Sequence, residues 1–263
     1  MLFRSIPTNN APTPTRPQAT VLSMYNSSGV YTNTPVERWL AAWSGSAYNT
    51  YTIPATGRVV LKYSSLQYAG VEFYNNDPTT GAGGDNVGGA TNYSIDAIPY
   101  DTFHVDLWTP SANQFGIQLV SINLTEAAQV DYLPASGVIT DGHWVSLDLP
   151  ISTFAGKNTN TDFSNLQQML WIDNQGGGGV TGGTFYIDNV YFYNAPRLNV
   201  TFSGGGAQLS FTTINGSNYD IQFKNSLSDA VWQTLSTTPG DGGPHTVPDS
   251  ATHASRFYRL FVH

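Results

Sequence analysis

The chain has 263 residues, enough for one large domain or for a medium domain followed by a small one. Charged residues make up only 11%, the net charge is −8, and the ten Lys and Arg are scattered, which argues against nucleic acid as a partner. Cysteine is absent, which excludes disulfides, zinc–thiolate sites and thiol catalysis, and no apolar run is long enough to span a membrane.

The chain begins with a stretch rich in Pro and Thr. Residues 7–17 read PTNNAPTPTRP, a pattern typical of an extended, semi-rigid spacer. Residues 1–10 lack the apolar stretch of a signal peptide. We therefore predict a linker over residues 1–19 that follows an upstream part of a longer secreted protein. The alternatives are a truncated reading frame and an ordinary frayed terminus.

The next segment combines aromatic residues with small polar ones. Flat aromatic rings stack on the C–H faces of sugar rings, while sugar hydroxyls need amide, hydroxyl and carboxylate partners. A neutral polysaccharide needs no basic groups, which agrees with the charge balance. We predict that at least one of these aromatics contacts a glycan, the alternative being rings that close the edge of a sandwich. The six residues are Tyr25, Tyr31, Trp39, Trp43, Tyr48 and Tyr51.

We include Trp39, Trp43 and Tyr48 among the candidate ligand-binding residues. Helical periodicity is present over Val36–Trp43, and in a helix Trp39 and Trp43 would share a face because they are four residues apart. The other short segment with helical periodicity is Ser164–Leu170.

Further candidates lie later in the chain. Tyr68 and Tyr74 belong to the predicted strand YAGVEFY, where Glu72 and Gln67 would bind sugar hydroxyls. Trp171 stands just before a glycine-rich loop, and we predict that it lines the rim of the site. Two other tryptophans, at positions 108 and 144, lie within regular strands, so we predict structural roles for them.

Alternation of apolar and polar residues dominates the rest of the chain and predicts β-strands. It covers TFHVDLW (102–108), which Pro110 ends, and the segments 115–120, 144–149, 219–224 and 256–262. The segment FYIDNVYFY (185–193) is apolar on both faces, so we predict that it lies between two layers. Short strands separated by turn residues predict an all-β sandwich fold.

Asp188 lies inside that last apolar segment, where an ionised carboxylate is unfavourable unless it is paired or binds a cation. A Ca²⁺ ion held with backbone, Ser and Asn oxygens would satisfy it. The alternative is an Asp that accepts hydrogen bonds from backbone amides. The sequence leaves both open.

Catalytic motifs are scarce. The three Glu and the Asp, which stand mostly in turns, form no recognisable pair, and neither a GxSxG elbow nor a metal-binding His spacing is present. We predict that His104 is a hydrogen-bonded structural residue, and we predict no catalytic residue. The competing hypothesis is a β-sandwich glycosidase or lyase, which requires two carboxylates about 5–9.5 Å apart across an open groove.

The residue pattern changes at Asn194-Ala195-Pro196-Arg197. After this point, short predicted strands alternate with Gly clusters. We predict a domain boundary there, with one domain over residues 20–194 and a smaller β-sandwich over 195–263.

The order of five motifs resembles a known group of modules: LKYSSLQYAGVEF (61–73), FHVDLWTPSANQFGIQLV (103–120), GHWVSLDLPISTF (142–154), NLQQMLWI (165–172) and TFYIDNVYFYNAP (184–196). These are the galactose-binding-like jelly-roll modules appended to bacterial polysaccharide-degrading enzymes, family 16 glucanases among them. The resemblance implies an extracellular, non-catalytic carbohydrate-binding module for a neutral polysaccharide, a β-glucan, linked to an upstream catalytic domain. It also implies a structural Ca²⁺ at Asp188, with Ser23 and Asn26 as partners from the first strand.

The tail from Leu198 is similar to small immunoglobulin-like modules at the ends of secreted bacterial enzymes, which implies a spacer or surface-attachment role. The full prediction is an all-β chain, a jelly-roll β-sandwich plus a smaller immunoglobulin-like β-sandwich, that acts as a monomer by adsorption to a polysaccharide. A third hypothesis is a structural or adhesion module of a cell-surface protein, which predicts that the aromatics of residues 25–51 are buried.

Overall fold

The computed structural model describes residues 6–73, 94–110, 114–121, 126–133, 136–140, 142–173, 182–203, 205–213, 215, 217–250 and 255–262. Among them, residues 6–14 and Leu22–Tyr193 form one compact unit, and Thr15–Val21 with residues 194–262 form a second. Over this part of the chain, no helix has the length and apolarity needed to cross a membrane.

Over the described residues, the larger unit contains ten strands and one short helix. In chain order they are β1 (Val21–Tyr25), β2 (Ala47–Thr52), β3 (Val59–Leu66), β4 (Tyr68–Glu72), β5 (Thr102–Trp108), β6 (Phe115–Ser121), β7 (Ala127–Tyr132), β8 (Trp144–Pro150), α1 (Ile151–Ala155), β9 (Leu166–Ile172) and β10 (Gly183–Tyr193). A single 3-10 turn over Gln18–Thr20 precedes β1.

These strands form two sheets. The six-stranded sheet has the order β2-β3-β10-β5-β8, with β1 also paired to β10, and the four-stranded sheet has the order β4-β9-β6-β7. The inward residues of both sheets meet in one apolar core, in which Phe103, Phe115, Phe185 and Trp171 are fully buried. The fold is therefore an all-β sandwich of the jelly-roll type, as predicted.

β10 lies in the middle of the six-stranded sheet, with β3 and β5 on either side. From Phe185 to Tyr193 every residue is buried, which confirms the prediction from its two apolar faces. The register with β5 shifts between Asp188 and Tyr191, where Asn189 has a φ of 51°. Such a bulge re-aims the neighbouring side chains.

Both predictions of helical segments are wrong. Leu166–Ile172 is the central strand β9, paired with β4 and β6, and these two ladders override the helical spacing of its apolar residues. Residues 36–43 form no helix either. Instead, their backbone follows the free edge of β4: the amide of Ala41 donates to the carbonyl of Gly70 (2.8 Å), and the amide of Glu72 donates to the carbonyl of Arg38 (3.0 Å).

Residues 7–14 do not extend away from the larger unit as the predicted spacer would. The carbonyl of Asn9 accepts a hydrogen bond from the Trp144 indole (2.8 Å), and the carbonyl of Pro12 accepts one from the Asn189 amide group (2.7 Å). Ala11 is only 3% exposed. An extended Pro-rich segment leaves its carbonyls without internal partners, so side chains of a neighbouring sheet can bind them.

In the part of the smaller unit that the structure describes there are six strands: β11 (Asn199–Ser203), β12 (Gly206–Thr212), β13 (Asn218–Lys224), β14 (Gln233–Pro239), β15 (Pro244–Asp249) and β16 (Phe257–Val262). They form two three-stranded antiparallel sheets, β11-β12-β15 and β14-β13-β16. Leu209, Phe211, Tyr219 and Ile221 are buried between the sheets. The strands predicted over 219–224 and 256–262 correspond to β13 and β16.

Candidate functional site

The outer face of the four-stranded sheet follows from the strand register, since directly paired residues project from the same side of a sheet. On β4 and β9, Ala69, Val71, Met169 and Trp171 are buried in the core, so the alternate residues face outward. Three outward rows run across β4, β9, β6 and β7. They are Tyr68–Ile172–Gly116–Asp131, Gly70–Leu170–Gln118–Gln129 and Glu72–Gln168–Val120–Ala127. We call these twelve residues, together with Trp43, the four-strand face.

An aromatic pair occupies one end of the four-strand face. The rings of Trp43 and Tyr68 are nearly parallel, with 17° between their planes and 6.2 Å between their centroids. Trp43 is 44% exposed and Tyr68 is 41% exposed. Large aromatic rings left this exposed are available to bind an apolar surface of a ligand.

Gly70 explains why the Trp43 ring lies flat beside Tyr68. A Cβ atom at this position would clash with the six-membered ring of Trp43, so only a glycine leaves the indole room against the strand. The backbone of the Trp43 segment is fixed on both sides of the ring. The amide of Gly45 donates to the carbonyl of Tyr68 (3.0 Å), and the amide of Gly70 donates to the hydroxyl of Ser44 (3.0 Å).

Glu72 contacts the Trp43 ring of the aromatic pair at its indole nitrogen. Its Oε1 accepts a hydrogen bond from the Trp43 indole (3.3 Å), and its Oε2 lies 3.2 Å from the Arg38 Nε. Glu37 is close to the same guanidinium, with Oε1 3.9 Å from Arg38 Nη2. Burial raises the pKa of Glu37, Arg38 opposes this effect and Glu72 adds to it.

Amide and carboxylate groups occupy the opposite end of the face, where Asp131 is exposed and Gln118 and Gln129 are half-buried. Gln118 donates to the Oε1 of Gln129 (3.3 Å), and Gln129 donates to the Oδ1 of Asp131 (2.7 Å). Gly116 leaves space for the Asp131 side chain, because a Cβ at position 116 would lie 2.5 Å from Asp131 Oδ1. Strands in a sheet are about 4.8 Å apart, so β4 and β7 are separated by roughly 14 Å. The aromatic end and the hydrogen-bonding end of the face are thus separated by a distance that several six-membered rings in a row would span.

The structure brings together only some of the residues predicted to bind ligand. Trp43, Tyr68 and Glu72 lie on the four-strand face, whereas Tyr74 lies outside the described residues. Trp39 and Tyr48 are half-buried and pack against the core, and Trp39 makes an edge contact with Tyr25 at 5.5 Å. Because residues 36–43 are not helical, Trp39 and Trp43 do not share a helix face.

The prediction for Trp171 is wrong. Trp171 is fully buried, and its ring stacks on Phe115 with 5.7 Å between centroids. Its position at the end of a strand before a Gly-rich segment suggested a rim, but alternation along β9 places it on the inward side, next to Met169 in the same core. A ring in this position cannot contact a polysaccharide.

Sequence reasoning missed the outward amide and carboxylate groups of the face: Gln118, Gln129 and Asp131 at its hydrogen-bonding end, and Gln168 beside Glu72. Their alternation with buried residues was visible in the sequence, since apolar residues flank Gln118 and Gln129 on both sides. What the sequence did not contain is the pairing of β6 with β9 and β7, which places all four side chains on one face.

A second polar cluster lies on the outer face of the six-stranded sheet. His104 is buried, with Nδ1 2.7 Å from Asp148 Oδ1 and Nε2 3.5 Å from Asp106 Oδ1, and its ring stacks on Tyr191 at 4.4 Å. Burial lowers the pKa of His104, but the hydrogen bonds to Asp106 and Asp148 outweigh it and raise the pKa above its ordinary value. These contacts confirm the prediction that His104 is hydrogen-bonded.

Asp188 is fully buried in the same region. Its Oδ1 accepts from the backbone amides of Ser27 and Asn189, both at 2.8 Å, and its Oδ2 accepts from the Ser27 hydroxyl. Burial raises the pKa of Asp188, while these hydrogen bonds oppose the shift. Of the two alternatives left open by the sequence, the contacts correspond to an Asp bound by backbone amides.

The predicted calcium ligands do not form one set. Ser23 donates to Asn33 Oδ1 (2.7 Å), and the Asn26 amide group donates to Asn33 Oδ1 (2.7 Å) and to the carbonyl of Tyr31 (2.9 Å). The atom of Asn26 that Ca²⁺ would need is its oxygen, Oδ1, which accepts hydrogen bonds from the Ser28 hydroxyl (3.2 Å) and the Tyr31 amide (3.4 Å). Among the described residues, no group of three acidic or His side chains is placed to hold a metal ion.

The carboxylates Glu37 and Glu72 lie near each other at the edge of the four-strand face, whereas the competing glycosidase hypothesis requires two carboxylates that face each other across an open groove. Both carboxylates contact the guanidinium of Arg38, Glu72 at 3.2 Å and Glu37 at 3.9 Å. These contacts account for the positions of the two carboxylates and assign neither of them a catalytic role.

No family model matches the sequence, and no curated protein sequence matches it. Solved structures with a similar backbone include a family 30 carbohydrate-binding module of a Clostridium thermocellum cellulase (10% identity, TM-score 0.43, covering 66% of this chain and 97% of that one). They also include a family 11 module from the same organism, in complex with a β-1,3-1,4-mixed-linked tetrasaccharide (15%, 0.41, 67% and 96%). An exo-β-agarase matches over 67% of this chain but only 26% of its own (12%, 0.40). At such identities and TM-scores, none of them establishes a family or a ligand for this chain.

Proposed function

We propose that this protein is a non-catalytic carbohydrate-binding module that binds a neutral polysaccharide through its four-strand face. The observation that carries the proposal is the exposed, nearly parallel pair of Trp43 and Tyr68 on the same sheet face as Gln118, Gln129 and Asp131. The rings would stack on the C–H faces of pyranose units at one end. The amides and the carboxylate would bind hydroxyls at the other end.

The electrostatics of the face favour an uncharged ligand. Its charged members are the carboxylates Glu72 and Asp131, and the nearby Arg38 is paired with Glu72. An anionic chain would meet these carboxylates without a free cation on the face to offset them. Hydroxyl groups, in contrast, can donate to both carboxylates and exchange hydrogen bonds with the amides of Gln118 and Gln129.

On the resemblance of the sequence motifs, we favour a β-glucan as the ligand, an extracellular bacterial setting, and a covalently linked catalytic domain. Weak binding by such a module raises the effective concentration of the linked enzyme on its substrate. The proposed binding mechanism uses only groups of the protein.

Native affinity electrophoresis against laminarin, mixed-linkage glucan, xyloglucan, xylan, galactomannan and agarose tests the proposal. We expect retardation by the β-glucans and a loss of roughly tenfold or more in affinity for Trp43→Ala, since a stacked aromatic is worth about 1–3 kcal/mol. The matched control is Phe202→Ala, which removes a ring that is 83% exposed in the smaller unit. Absence of retardation by all six polysaccharides would refute the function, and retardation unchanged in Trp43→Ala would refute the site.

Two glycine variants test the geometry without removing a contact group. Gly70→Ala forces the Trp43 ring away from the strand, so we expect it to weaken binding although both rings remain. Gly116→Ala places a Cβ 2.5 Å from Asp131 Oδ1 and perturbs the other end of the face. Gly156→Ala is the control, because Gly156 has an ordinary φ of −69° and lies after α1, outside the face. Equal binding by Gly70→Ala and the wild type would show that the ring position is irrelevant.

A further inference from the structure

The smaller unit carries a second aromatic surface, on the outer side of the sheet β14-β13-β16. Residues at alternate positions of β16 (Tyr258, Leu260 and Val262) pack against the core of this unit, whereas Phe257 and Phe261 are 36% and 46% exposed. Between these two rings, Arg259 is paired with Gln222 of β13. We define the β16 face as the outer surface formed by Phe257, Arg259, Phe261, Gln222 and Trp232.

Arg259 is held in place at the centre of the β16 face. Its guanidinium carbon lies 4.6 Å from the centroid of the Trp232 ring and 5.9 Å from that of Phe261. Its Nε donates to the Oε1 of Gln222 (2.8 Å). These distances lie within the range of cation–π attraction, so the side chain is oriented before any ligand arrives.

The outer edge of the Arg259 guanidinium is unoccupied by protein groups. Over the described residues, Arg259 makes no ion pair, and its two terminal nitrogens have no hydrogen-bond partner. The other arginine of this strand region, Arg256, is paired with Asp249 (2.6 Å). A planar fork with both terminal nitrogens exposed matches the two oxygens of a carboxylate.

The charge distribution of the chain permits an anion to approach here. Residues 194–263 contain four Lys or Arg and four Asp, so they are formally neutral, and the net charge of −8 lies in residues 1–193. The carboxylate on the same side of the sheet, Asp220, accepts a hydrogen bond from Thr237 (2.6 Å). Lys224 Nζ donates to the carbonyl of Asp229 and lies 5.2 Å from the Trp232 ring, which adds a second cation beside Arg259.

We propose that the β16 face binds a carboxylated polysaccharide, with Arg259 taking the carboxylate of a uronic acid unit. The exposed rings of Phe257 and Phe261 would stack on the flanking sugar rings, while Trp232 and Gln222 hold the guanidinium fork in place. The exposed rings favour a glycan over an acidic polypeptide, because sugar rings offer flat C–H faces for stacking. This site is independent of the four-strand face and of its ligand.

Isothermal titration of the full chain with polygalacturonate tests the proposal. The Trp43→Ala variant serves as the starting protein, so that binding at the four-strand face does not contribute. We expect binding of polygalacturonate and none of its carboxyl-reduced form. Arg259→Gln is expected to weaken binding roughly tenfold or more, because it removes a charge-assisted, two-pronged contact.

Two further variants separate recognition from net charge. Arg259→Lys keeps the charge but loses the fork, so we expect it to bind about as weakly as Arg259→Gln. Lys157→Gln, which removes an exposed cation from the larger unit, is expected to bind like the starting protein.

Three results would overturn the proposal: failure of polygalacturonate to bind, equal binding by Arg259→Gln and the starting protein, or full binding by Arg259→Lys. Equal binding of poly-glutamate or dextran sulfate would replace the carboxylated glycan with an acidic polypeptide or with a general anion.

Discussion

The outer faces of the two sheets of the larger unit differ in what covers them. On the six-stranded sheet, Trp108, Tyr186 and Asp188 project outward and are nevertheless buried. Residues 7–14 and the loop after β1 lie over this sheet and bind the side chains of Trp144, Asn189 and Asp188. On the four-stranded sheet, Trp43 and Tyr68 remain more than 40% exposed. The covered face is therefore part of the packed fold, whereas the open face leaves its aromatic rings exposed to solvent.

This difference shows that the type of outward residue does not decide its role. Both faces carry tryptophan, tyrosine and aspartate. A covered aspartate such as Asp106 is occupied by internal hydrogen bonds, from Ser146 (2.5 Å) and Asn189 (2.5 Å). Asp131, on the open face, accepts from one amide and keeps the rest of its hydrogen-bonding capacity for a ligand.

The largest expected effect separates a buried tryptophan from an exposed one. Trp171→Ala should lower the free energy of unfolding by about 3–5 kcal/mol, because it leaves a large cavity in the core. Trp43→Ala should change stability much less and abolish most of the binding. Urea unfolding monitored by circular dichroism measures the free energy of unfolding of both variants. Similar destabilisation by the two would contradict the assignment of Trp43 to an open face.

The next prediction tests the covering of the six-stranded sheet. Asn189→Gly should lower the free energy of unfolding by about 1–3 kcal/mol, since the carboxylate of Asp106 and the carbonyl of Pro12 each lose a donor. Glycine is the right replacement because Asn189 has a φ of 51°, which glycine adopts without strain. Polysaccharide binding should be unchanged. An Asn189→Gly protein that unfolds at the same urea concentration as the wild type would argue against this network.

A smaller effect is expected from pH. The pKa of His104 is raised above its ordinary value of 6.5, so the folded state favours the protonated ring. The stabilisation is complete below pH 6.5 and is lost as the pH rises through the folded-state pKa. Thermal unfolding of the wild type and His104→Gln across this range gives the measurement. The wild type should lose its advantage at alkaline pH, and a constant difference between the two proteins would contradict the prediction.

The smallest expected effect is that of calcium. The carboxylate of Asp188 already accepts hydrogen bonds from Ser27 and Asn189, so adding Ca²⁺ or EDTA should leave the melting temperature unchanged. Differential scanning calorimetry with and without excess Ca²⁺ provides the comparison. A clear rise in melting temperature with Ca²⁺ would show that the ion displaces these amides.

Much of the fold could be predicted from the sequence, because alternation is a local property. The strands around Phe103, Val145 and Ile187 lie where their patterns placed them. Leu166–Ile172 was mistaken for a helix, because its apolar residues have a helical spacing that only the pairing with β4 and β6 overrides. The position of residues 7–14 also depends on distant partners, which no local pattern reveals.

The site was predictable only in part for the same reason. Trp43, Tyr68 and Glu72 stood in aromatic or strand motifs and could be named from the sequence. Trp171 was misplaced, because the sequence does not say which side of β9 faces the core. Glutamines such as Gln118 were missed, because single glutamines within strands carry no signal until the sheet order places them beside each other.

The most direct test of the open face is a comparison of the two outer faces in the presence of ligand. Backbone amide chemical shifts would be followed by NMR while an oligosaccharide of the retarding polysaccharide is added. We predict shifts at Tyr68, Gln118 and Asp131, with those of His104 and Asp148 unchanged. Shifts confined to the strands carrying His104 and Asp148 would contradict the prediction, because binding would then take place on the face that the chain itself covers.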